Sequence, residues 1–186
     1  MGRQRPTSRS RRLVVDADVA RSAGDEGAAD AVAVRSRNLL QAIGLICHHL
    51  TLTTAVWDEW QRHTSRFTRR WLRSWSNTKV VVVRAARNEE LRHSIERALV
   101  DAKRSEAWRV VEKDMHLIEA AMSADYVVVS RDDRTRRHLL VVAGDVPELA
   151  ALAWVSLMDA FDSDDALTVW LNEGAPTRAE FLLTPP

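Results

Sequence analysis

The stretch Lys113–Arg137, KDMHLIEAAMSADYVVVSRDDRTRR, constrains this chain more than any other. Asp114, Leu117, Ile118 and Ala121 recur at helical spacing, so an acid stands in line with an apolar stripe. An acid on such a face is costly unless it has a partner. The run Tyr126-Val127-Val128-Val129 is too short and too β-branched for a helix and reads as a strand buried on both faces. It ends in Ser130-Arg131-Asp132-Asp133. Ligands of parallel α/β sheets bind just beyond the carboxyl ends of strands, so two adjoining elements send acids toward one place.

The same design occurs near the start, where Leu13-Val14-Val15 runs into Asp16-Ala17-Asp18. Between and after these strands, periodicity predicts helices over 28–46, 55–63, onward to Trp75, 88–103, 134–142, and from a cap at Asp162 or Ser163 to Leu171. A short helix over 105–111 is expected ahead of the one beginning at Lys113. Further strands are expected over 50–53, 79–83 and 152–157, with Gly24–Gly27 a loop. Strands alternating with helices predict a three-layer α/β/α sandwich with a mostly parallel central sheet. Residues 1–11 read as a flexible basic arm, 12–175 as one domain and 176–186 as a tail.

At 186 residues the chain suits one domain with a substantial core. Its single cysteine, Cys47, excludes an internal disulfide and a zinc site built on several thiolates, and fits a reducing cytoplasm. No apolar run approaches the roughly 20 residues that span a bilayer. Ser10-Arg11-Arg12 faintly resembles an export signal, but Asp16 and Asp18 interrupt the apolar run after it. The net charge of +1 conceals a strong asymmetry. Arg3, Arg5, Arg9, Arg11 and Arg12 make the arm basic, and Arg62, Arg66, Arg69, Arg70 and Arg73 form a second basic block. After Gly144 the chain is acidic, with Arg178 its sole Lys or Arg. A polyanion meeting the first half is the natural reading.

Four carboxylates stand out by position: Asp16, Glu59, Asp114 and Asp132. Each alone reads as a loop acid, a helix cap or a solvated helix residue, and Asp133 in particular as the N-cap of its helix. Their strand–helix order, however, brings the set to one edge. Two like charges about 4 Å apart repel by roughly 4 kcal/mol at an effective dielectric of about 20. Such a cluster needs cations, or else some members take up protons. Oxygen-only ligands select a hard cation, Mg²⁺ or Mn²⁺, which activates water and stabilises displacement at a phosphodiester.

The pattern resembles a PIN domain, the nuclease domain of bacterial toxin ribonucleases and RNA-processing factors. The resemblance rests on Leu13-Val14-Val15-Asp16-Ala17-Asp18-Val19, Thr54-Ala55-Val56-Trp57-Asp58-Glu59, Lys113 to Ala121 and Val128-Val129-Ser130-Arg131-Asp132-Asp133. It implies that Asp16, Glu59, Asp114 and Asp132 bind the metal, with Ser130 as the hydroxyl that orders the site. Asp18 departs from the asparagine often found there, so it is either an added ligand or a replacement for a structural hydrogen bond. The implied activity is metal-dependent hydrolysis of RNA leaving 3′-hydroxyl and 5′-phosphate ends. Beside RNA, the implied partners are an antitoxin or a second copy of the chain.

For presentation of RNA, Arg62, Arg66, Arg69, Arg70, Arg73 and Arg134 are the expected phosphate contacts. Trp60, Phe67, Trp71 and Trp75 recur at the spacing burial produces, so packing is favoured over base stacking. His116 is expected to point off the Asp114 face as a structural residue. Two rival readings exist. Asp16-x-Asp18 followed by Asp132-Asp133 also resembles phosphatases of the haloacid dehalogenase superfamily, with Asp16 as nucleophile, yet that scheme gives Glu59 and Asp114 no role. A non-catalytic RNA- or protein-binding module on the same fold is the other, against which stands the presence of all four acids.

Overall fold

A computed structural model describes residues 10–184. The elements in order are β1 (Arg12–Val15), α1 (Ala17–Ser22), α2 (Ala31–Leu45), β2 (His49–Leu52), α3 (Thr54–His63), α4 (Arg66–Lys79), β3 (Val80–Val82), α5 (Glu89–Asp101), α6 (Trp108–Met122), β4 (Val127–Ser130), α7 (Asp133–Val142), β5 (Ala153–Ser156) and α8 (Asp164–Asn172). The strands are short and β-branched because they are buried on both faces: Val14, Val15, Val128 and Val129 are wholly inaccessible. They form one sheet of five parallel strands in the order β3-β2-β1-β4-β5. Helix α2 packs with α4 and α8 over one face, while α5, α6 and α7 pack together over the other. The fold is thus the three-layer α/β/α sandwich, with every strand pair parallel rather than most.

The strand order places the site. From β1 the chain moves outward through β2 to β3, then returns to lay β4 on the opposite side of β1. Connections from β1 and β4 therefore diverge, opening a crevice at their shared carboxyl ends. Val14 pairs with Val128 and Val15 with Val129, so Asp16 and Ser130 leave the sheet side by side.

Several local expectations need correction. No helix is expected after β1, yet α1 starts at once, because Asp16 acts as its N-cap by accepting from the Asp18 N–H. A separate helix over 105–111 does not form. Ser105–Ala107 is one 3₁₀ turn, and α6 then runs unbroken to Met122, since no glycine or proline divides Val111 from Met115. Asp132, not Asp133, caps α7. The boundary expected after residue 175 is no structural break: Trp170 Nε1 donates to the Pro176 carbonyl at 2.9 Å. Leu182 bridges Ala153 in antiparallel fashion, the Leu183 N–H donates to Leu152, and Phe181 stacks edge-on with Phe161 and Trp170. The expected arm lies outside the described residues except for Ser10 and Arg11, which are tied to Cys47 and His48.

Most aromatics of α3 and α4 pack inward: Trp75 is partly buried against the core, whereas Trp57 is exposed. Trp60, Phe67 and Trp71 are buried, and Trp60 Nε1 donates to the Val15 carbonyl at 2.8 Å. That bond fixes α3, and hence Glu59, against the end of β1. The loop after α1 is held by the buried Arg37 guanidinium, which donates to the carbonyls of Ala23, Asp25 and Ala28.

Candidate active site

Asp16, Glu59, Asp114 and Asp132 line one cavity of about 230 Å³, together with Asp18 and Lys113. It lies at the carboxyl edge of the sheet, where β1 and β4 diverge. Each acid arrives from a different element and is held by its own partner. Ser130 Oγ donates to Asp16 Oδ2 at 2.6 Å and accepts from the Asp132 N–H at 3.0 Å, so one hydroxyl couples two of the acids. Thr135 on α7 donates to Asp114 Oδ2. Lys113 Nζ lies 3.1 Å from Asp132 Oδ2 and 3.6 Å from Asp114 Oδ1.

The charge states follow from these surroundings. Burial drives the Asp16 carboxyl up to about 6; Ser130 and the Asp18 N–H oppose this, and Asp114 and Glu59 add to it. Burial likewise raises Asp114 against the opposing hydrogen bond from Thr135. Burial also works on Asp132, but the Arg134 N–H and Lys113 outweigh it and leave that carboxyl below the usual range.

His116 corrects the expectation that it points away. Its Nε2 lies 2.7 Å from Glu59 Oε2 and its Nδ1 2.9 Å from the Lys113 carbonyl. The Lys113 carbonyl can only accept, and so can an ionised Glu59, an arrangement that favours the doubly protonated ring. Burial opposes that charge, yet Glu59 prevails and raises the His116 pKa. Glu59 is held low, chiefly by the hydrogen bond from His116. Sequence periodicity could not find this contact, because it joins α3 to α6 across the edge of the sheet.

The other expected residues divide. Asp18 reaches the cavity, but its carboxylate accepts from Arg131 Nη1 at 3.1 Å and lies 3.5 Å from Arg21 Nη2. Asp133 does not join the four acids. It turns into a neighbouring cavity, where its Oδ2 accepts from Ser156 Oγ at 2.9 Å. Arg62 is exposed and lines a groove of about 680 Å³ that shares Glu59 and Lys113 with the acid cavity. Arg66, Arg69, Arg70 and Arg73 line neither space; Arg66 and Arg70 face Asp25 and Glu26. Arg134 is exposed beside the site and gives its backbone N–H to Asp132 Oδ1 at 2.8 Å. Arg87 on the groove went unnoticed, since nothing in the local sequence marks it.

The chain has been compared with protein-family models, curated proteins and solved structures. None of them matches it.

The donor chemistry suits a hard divalent ion: oxygen ligands only, in a cavity whose two most buried acids are pushed toward protonation by burial. Among the described residues, no three potential ligands already converge on a common point. Asp114, Glu59 and Asp132 are each engaged by a neighbour, Thr135, His116 and Lys113 respectively.

Proposed function

We propose that this protein is a Mg²⁺- or Mn²⁺-dependent ribonuclease of the PIN type. The observation that carries the reading is the meeting of Asp16, Glu59, Asp114 and Asp132 in one cavity at the point where the parallel strands diverge. These four acids are the residues that would hold the ion. When bound, it would lower the pKa of a coordinated water and offset charge developing on the phosphodiester.

The chain's own groups have distinct parts. Ser130 orients Asp16 and the turn carrying Asp132. Thr135 orients Asp114, and His116 holds Glu59 ionised. Arg62 and Arg87 line the adjoining groove beside Asp58, Glu112 and Glu119; Arg87 is paired with Glu89, so Arg62 is the guanidinium best placed for a phosphate. A cytoplasmic setting goes with this reading, as does an antitoxin or a second copy as regulator. Among the described residues no helix is long and apolar enough to cross a membrane. The phosphatase alternative is less well supported, because Arg131 holds the Asp18 carboxylate in an ion pair and an acid/base needs a proton to give.

The test is cleavage of short single-stranded RNAs with and without Mn²⁺, comparing wild type with Asp114→Asn. Metal-dependent cleavage by wild type, lost in a variant with an unchanged circular dichroism spectrum, is the expected result. Equal cleavage by both proteins would remove Asp114 from the reaction.

A further inference from the structure

Lys113 is an unusual neighbour for this cavity. It is exposed and lies next to Asp114 on α6, yet consecutive residues on a helix do not face one another. Its ammonium nonetheless folds back to within 3.6 Å of Asp114 Oδ1 and reaches across to Asp132 Oδ2 at 3.1 Å. It thereby bridges acids from two elements at the spot where a cation would be expected. Lys113 also lines the groove shared with Arg62 and Glu59, so the same side chain borders both spaces.

We propose that Lys113 is a built-in counter-ion, exchanged for the divalent metal. This rests on the metal-dependent reading above. The ammonium bridges Asp114 and Asp132 and offsets their mutual repulsion, the part a bound cation would otherwise take. Metal entry requires the ammonium to leave, because a monocation and a dication cannot share these oxygens without strong repulsion. The long flexible stem of lysine permits that movement. The adjoining groove receives the displaced ammonium, where it meets the phosphates of a bound strand. Lys113 therefore sets metal affinity and acts on substrate only after metal has entered.

The experiment is calorimetric titration of Mn²⁺ into the full chain, free of RNA, for wild type, Lys113→Gln and Lys113→Arg. Lys113→Gln is expected to bind Mn²⁺ about tenfold more tightly than wild type, equivalent to ~1.4 kcal/mol. Lys113→Arg, which keeps the charge, is expected to stay close to wild type. Equal or weaker binding by Lys113→Gln, with Mn²⁺ still bound by wild type, overturns the counter-ion role and leaves the metal site standing. Absence of Mn²⁺ binding in all three proteins overturns the metal reading itself, and the role of Lys113 falls with it.

Discussion

Burial lifts the Asp16 carboxyl from 3.8 to about 6, so at pH values between these the folded chain holds a proton that the unfolded chain has released. Stability contributed by this group therefore declines as pH rises through that window and stays low above it. Asp16→Asn, which removes the buried charge, is expected to raise the stability of the metal-free protein at pH 7.5 by about 1–3 kcal/mol. Urea unfolding measures this, and a loss of stability would mean that the carboxylate's hydrogen bonds outweigh its burial. The Glu59–His116 pair carries one shift of each sign. Its raised imidazole contributes below the ordinary histidine pKa and is lost as pH climbs through the folded value. Its depressed carboxyl contributes above the ordinary glutamate pKa and is lost as pH falls through the folded value. The ion pair is complete only between those two limits. NMR titration should show the His116 pKa falling in Glu59→Gln, whereas an unmoved value would assign the shift to another neighbour. Ser130→Ala should lower cleavage by roughly 10–100-fold, the usual cost of removing a group that orients a ligand. Activity unchanged at saturating Mn²⁺ would deny Ser130 that part.

At the level of helices and strands, close approach decides what hydrophobic pattern leaves open. Gly44 of α2 faces α4, where a Cβ would come within 3.0 Å of Trp75 and 3.2 Å of Trp71 Nε1. Trp71 is pinned by its bond to the Leu40 carbonyl and cannot yield freely. Gly44→Leu is accordingly expected to destabilise by about 1–3 kcal/mol through overpacking, read as a lower thermal midpoint. A neutral result would show that α4 shifts without cost. The long elements were legible because their apolar residues repeat cleanly, as along α5, α6 and β4. Helix α1 was not, for its cap is made by Asp16, a residue that reads equally well as a ligand. Glu119 was also opaque. Its position on α6 shows nothing of Arg92, which donates to both its oxygens at 2.8 and 3.0 Å from α5.

Across the whole molecule, the parallel sheet with helices on both faces was readable from alternation alone, and Asp16 and Asp132, which follow β1 and β4, line one cavity. Partners drawn from distant helices were not: His116 with Glu59, Thr135 with Asp114 and Arg131 with Asp18 depend on how layers sit over the sheet. The basic block shows the same limit, since Arg66 and Arg70 are neutralised by the loop after α1. RNA affinity should therefore depend on salt more weakly than the number of arginines suggests. Arg62→Ala is expected to reduce the slope of log affinity against log salt by about 1, and Arg73→Ala to leave it unaltered. Matching slopes for both variants would argue against a groove-borne strand. The pairing of Leu182 with Ala153 and the burial of Leu183 carry a practical consequence. They cloak a rim that would otherwise offer unclaimed amide groups to any passing chain. A protein shortened before residue 179 is expected to keep its acids yet self-associate more readily, read as a rise in light scattering; unchanged scattering would show that this rim needs no cover.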